Sequence, residues 1–153
     1  DDALTQGKAL KGLETLAEQI GTLTDLPIEL QVRLLTDTVA LGSTLDDVMK
    51  TMTELYIQGQ TGMIMPMIEW SSAQTGADDN AAYAEFEKQM VHSRNHTMVQ
   101  RLAPMLEDGN AFVAVGALHL PGNDGLVQLL RDSAAPAPFT YVSACSRPPE
   151  RPP

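Results

Sequence analysis

Ala111-Phe112-Val113-Ala114-Val115-Gly116-Ala117-Leu118-His119-Leu120-Pro121-Gly122 is the stretch on which the fold turns. Residues 111–118 are short, apolar and carry two valines and a phenylalanine, which predicts a fully buried strand of the kind found inside parallel sheets. Pro121-Gly122 breaks the chain. His119 therefore stands just past the C-terminal end of that strand, the edge where α/β proteins collect ligand sites. Gly116 removes a side chain there and lets a ligand or another backbone approach.

Working back from this stretch, Gly109 and Asn110 stop the longest periodic segment, 81–106. Its Tyr83, Phe86, Met90, Met98, Leu102 and Met105 recur at helical spacing. A polar loop is expected over 71–80. Before it, Leu45, Val48, Met49, Met52, Leu55 and Tyr56 make the stripe of a helix that Ser43 or Thr44 caps and Asp46 and Asp47 suit electrostatically. Pro66 is expected to kink or end that region. Asp25 ahead of Pro27 marks the start of a helix reaching about residue 40. Another helix is expected over about 15–23, and a short extended or β piece over 8–13. Forward of the decisive stretch, a short helix spans 126–131 and a final strand 139–145. The tail, 146–153, has four prolines in eight residues and is expected to be disordered. The whole reads as an α/β arrangement.

Composition narrows the function. The 153 residues carry 10 basic and 20 acidic side chains, a net charge of −10, and 43% are apolar. An apolar share of that size excludes a wholly disordered chain. The acidic balance argues against nucleic-acid binding, which needs clustered Lys and Arg. No window approaches the roughly 20 apolar residues of a membrane span. One cysteine, Cys145, excludes an internal disulfide framework and a zinc ribbon.

Few residues offer chemistry. His119 is either a metal ligand or general base, or a histidine hydrogen-bonded at a strand end. Arg94 follows Met90 and precedes Met98 and Leu102 by helical steps, so a permanent cation lies along an apolar stripe. It needs an anionic partner or a route to water. Asn95 stands about 100° further round the helix and is within reach of a nearby loop. Glu14, where the extended piece gives way to a helix, is a helix cap, a metal ligand or the partner of Arg94. His92 and His96 share a face but lack the Glu that follows the first His in zinc proteases, and they read as a solvated face. Met63, Met65 and Met67 read as core filler rather than sulfur ligands. No G-x-S-x-G, G-x-G-x-x-G or Walker motif occurs.

The ordered set of these residues resembles the C-terminal half of the TraB/GumN (PrgY-like, Tiki-related) family. Residues 111–122, then Gly125-Leu126 and Leu129-Leu130, resemble the family's second G-x-x-H motif and its flanks. Arg94-Asn95 with Met98, and Gly12-Leu13-Glu14-Thr15 with Gln19, Leu26-Pro27 and Gln31, match in order and spacing. The resemblance covers roughly residues 5–132. It implies a helix-rich α/β domain with a few strands and about five or six helices, occupying 1–145 ahead of the tail. By analogy with Tiki proteins it implies a metal-dependent hydrolase, or metallopeptidase, acting on peptides or another acyl or small-molecule substrate.

Carried over by position, Glu14, Arg94 and His119 would be catalytic, Asn95 and Gly116 would face substrate, and His119 and Glu14 would hold a divalent metal in the full-length protein. The other implied class is a noncatalytic protein that sequesters a peptide on the same fold, and a blander third is a helical oligomerisation domain. Three departures stand out. The family's first G-x-x-H motif has no counterpart before Gly12, Ser93 stands where an acid is usual, and Gly59-Gln60 where Gly-Asp is common. The chain is therefore expected to be a fragment, inactive alone and without a tightly held metal. It would seek either the N-terminal half or a second copy of itself. Family habit implies export to the bacterial periplasm or envelope.

Overall fold

The structure, a computed structural model, describes residues 2–74 and 80–133. The strand expected over 139–145 and the proline-rich tail lie outside the described residues. The described residues are mostly helical: α1 (Asp2–Thr5), α2 (Leu16–Thr24), α3 (Ile28–Leu41), α4 (Leu45–Ile57), α5 (Ile64–Ala73), α6 (Asn80–Glu87), α7 (Ser93–Glu107) and α8 (Leu126–Asp132).

Local chemistry explains most boundaries. Thr15 caps α2 in a reciprocal box: its hydroxyl accepts from the Glu18 N–H at 3.2 Å, and its own N–H donates to the Glu18 carboxylate at 2.7 Å. Asp25 ends α2 rather than opening α3, whose N-cap is Pro27. Thr44 precedes α4 without capping it by side chain, because its hydroxyl donates back to the Leu41 carbonyl at 2.6 Å. Pro66 starts a helix instead of ending one. It sits in the first turn of α5, where its missing N–H has no intrahelical partner to lose. Ser71 and Ser72 consequently belong to α5 and are buried, not part of a loop.

The long periodic segment is one continuous helical rod, α6 to α7, with a π turn at Lys88–His92 in which the Ser93 N–H reaches back to the Lys88 carbonyl. Such a turn inserts a residue and rotates the helix beyond it. The buried stripe of α7 is therefore Asn95, Met98 and Leu102, and Arg94 lies at its edge. Gly109 and Asn110, at φ 72° and 53°, end the rod in left-handed backbone. Packing is pairwise: α7 on α8, α5 on α3, α4 and α6, and α2 on the π turn. A buried polar knot fastens α3, where the Asp37 carboxylate accepts from Arg33 and from the hydroxyls of Ser72 and Tyr83.

The decisive stretch departs from its sequence reading. Among the described residues there is no strand, and 111–116 have no regular secondary structure. Phe112 is 93% exposed, so the stretch is not a buried strand here. The reason is physical. Valine and phenylalanine favour pleated backbone, but a strand exists only where a neighbour supplies the ladder of hydrogen bonds. Residues 8–12 likewise form no strand, with Leu10 exposed and the Lys8 N–H donating back to the Ala3 carbonyl at 2.9 Å.

Burial sets the first expectation. Leu102→Ala, at a side chain 1% exposed, should cost about 2–5 kcal/mol in urea unfolding. Phe112→Ala should move stability by less than about 0.5 kcal/mol; a core-sized loss at Phe112 would contradict the exposed placement.

Candidate functional site

Glu14, Arg94 and His119 come from the start, middle and end of the described chain, and α7 gathers them. Because Thr15 and Glu18 do the capping of α2, the Glu14 carboxylate is left to face α7. There Arg94 grips it as a fork, Nε to one oxygen and Nη2 to the other, both at 2.7 Å and 80 residues apart in sequence. A third donor, Nη1, reaches the Met90 carbonyl in the π turn at 2.9 Å. The Glu14 side chain is 6% exposed and that of Arg94 20%.

One residue further along α7, Asn95 has no exposed surface at all. Its amide Nδ2 donates to the His119 carbonyl at 3.3 Å and the Asp124 carbonyl at 2.6 Å. Its Oδ1 lies 2.7 Å from Nδ1 of His119. The ring is buried, on a tight turn, Ala117–His119, closed by the His119 N–H donating to the Gly116 carbonyl at 3.0 Å. Gly116 is not forced by its backbone, which is ordinary extended chain. A methyl there would lie 3.5 Å from Cδ2 of His119, so glycine leaves open the ring edge that carries Nε2. Gly125, by contrast, has no room for a side chain, because one would run into the Leu120 and Pro121 carbonyls.

The charges act on one another. The Arg94 hydrogen bonds hold the Glu14 carboxyl below its ordinary value, with help from the His119 charge and Gln19, against the opposing effect of burial. Burial first, then the Arg94 cation, push His119 down from 6.5, and Glu14 offsets part of this. His119 is thus a neutral imidazole near pH 7.

Sequence reasoning missed Arg101. It holds the Leu13 carbonyl at 2.6 Å and the Glu18 carboxylate at 2.5 and 3.0 Å, and with Thr15 it takes Glu18 down to about 2. The signal was there: Arg94 and Arg101 lie seven apart, two helical turns, and so share a face. His92 and His96 stay on the outer side. His96 meets the Asp124 carboxylate at 3.2 Å, and neither histidine joins His119.

Glu14 and His119 do not by themselves make up a metal site: both Glu14 oxygens are engaged by Arg94, His119 offers Nε2 alone, and no group of three or more metal-binding side chains occurs among the described residues.

A family model described as TraB/PrgY/gumN matches residues 1–135. The chain belongs to this family. No curated protein and no solved structure matches it. The TraB/PrgY/gumN match bears out the resemblance drawn from the Gly116–His119, Arg94-Asn95 and Gly12–Thr15 motifs.

Acid should unfold this protein in two stages. As pH falls below 6.5 the unfolded chain binds a proton that buried His119 resists, so stability declines. Below 4.5 the unfolded Glu14 and Glu18 protonate while the folded ones stay ionised, and the stability they contribute is lost as pH falls through their lowered values. Urea midpoints against pH should lose the first stage in His119→Gln and show a smaller second stage in Glu14→Gln.

Proposed function

We propose that this TraB/PrgY/gumN chain carries part of a hydrolytic cleft for peptides or related acyl compounds. The observation that supports it is the convergence of a neutral, buried histidine with one open ring nitrogen upon a partly exposed arginine. In this reading Nε2 of His119 takes a proton from water as the water oxygen bonds to the acyl carbon. Arg94 has N–H groups beyond those bound to Glu14 and Met90. These donate to the carbonyl oxygen as it gains charge. The proton then passes from His119 to the leaving amine as the carbon–nitrogen bond breaks. Glu14 acts through Arg94, holding the guanidinium in place. A divalent metal in the whole protein would need donors besides these residues, and no step is assigned to one.

The finer fold belongs to the same proposal. Residues 8–13 and 111–115 become strands of an α/β sheet when the remainder of the domain, an N-terminal half carrying the other G-x-x-H, supplies their neighbours. A second reading, a noncatalytic peptide-binding protein, draws support from the exposed residues 111–114, whose backbone groups make no hydrogen bond among the described residues and suit an added peptide strand.

Turnover of a panel of fluorogenic peptides by the full-length protein separates the two. Hydrolysis should fall about 100-fold or more in His119→Ala. The wild-type rate should hold its plateau to below pH 6.5, because the base is depressed from that value. Tight peptide binding without turnover, unchanged in His119→Ala, would replace the hydrolase with the sequestering protein.

A further inference from the structure

We propose that Asn95 is a positioning residue that locks His119 in its Nδ1–H tautomer and leaves the Nε2 lone pair as the reactive face of the ring. The carboxamide settles this by its own neighbours. Two of them, the His119 and Asp124 carbonyls, are pure acceptors, at 3.3 and 2.6 Å from Nδ2. Turning the amide over would set its oxygen against both of those oxygens. The nitrogen must therefore face them, and Oδ1 must face Nδ1 of His119, 2.7 Å away. An amide oxygen only accepts, so Nδ1 carries the hydrogen. A neutral imidazole has one N–H, so Nε2 is bare.

Nε2 makes no hydrogen bond, yet no buried side-chain nitrogen or oxygen among the described residues lacks a partner. Nε2 is therefore the part of the ring that water reaches. With Asn95 wholly buried and bonded through both ends of its amide, its place is behind the imidazole and not against substrate. The same amide ties the turn that bears the histidine to the loop that precedes α8, so ring orientation and loop position are set together.

This deepens the hydrolytic reading, since it names which nitrogen would act as base, but the tautomer rests on geometry alone. The test is a long-range proton–nitrogen correlation spectrum of the 153-residue chain, labelled at histidine, at about pH 8, above the ordinary histidine range. The double variant His92→Gln/His96→Gln, at two outward positions, leaves one imidazole to observe. The expected spectrum has a protonated Nδ1 and an unprotonated Nε2, the reverse of the form that free histidine favours. Asn95→Leu, checked for folding by circular dichroism, should revert to Nε2–H.

An Nε2–H signal in the double variant overturns the proposal, whether or not Asn95→Leu folds. A folded Asn95→Leu that keeps Nδ1–H overturns it equally. Neither result bears on whether the full-length protein cleaves peptides, and absence of peptide cleavage would leave the tautomer as found.

Discussion

A single carboxamide, Asn95, sits in the first turn of α7 with no exposed surface and organises the half of the molecule that carries the chemistry. An amide in that position is costly unless its polar atoms find partners. It finds them in the His119 ring, the His119 carbonyl and the Asp124 carbonyl. Those bonds fold the segment after residue 116 back onto α7 and deliver α8 to its packing position. Gly125 completes the arrangement by leaving the Leu120 and Pro121 carbonyls the space they occupy.

The opposite flank of α7 is held by charge. Arg94 and Arg101 take Glu14, Glu18 and the Leu13 carbonyl, so the entry to α2 is strapped to α7 at two points, two helical turns apart. The two straps differ in surroundings. Arg101–Glu18 is largely in water, where screening weakens ion pairs, whereas Glu14 is nearly covered by its fork to Arg94. The covered pair also sets the electrostatics of the cleft, since the Arg94 cation adds to burial in keeping the neighbouring imidazole neutral. Stability and candidate chemistry therefore draw on the same residues.

Much of the architecture is legible along the chain, and for identifiable reasons. Helix positions follow from the period of the apolar residues, as at Ile28–Leu41 and Leu45–Ile57, even though neither helix is capped by the side chain its sequence offers. Arg94 on an apolar stripe demands an anion, and Glu14 is among the candidates. Two things are less accessible. The π turn at Lys88–His92 shifts the phase of the helix, which moves Asn95 to the buried centre and Arg94 to the rim. Residues 111–116 have the composition of a strand, yet composition cannot supply the neighbour that a strand requires.

The sequence by itself determined the helices, the family and the residue types of the cleft, because periodicity, capping and spaced motifs are local properties of the chain. Only the tertiary structure decided which of the possible partners each polar group takes. The choice of Arg94 over water for Glu14, and of Asn95 Oδ1 for the Nδ1 of His119, depends on which groups lie within about 3 Å once the helices have packed. No spacing along a chain encodes that distance between residues 80 and 24 positions apart.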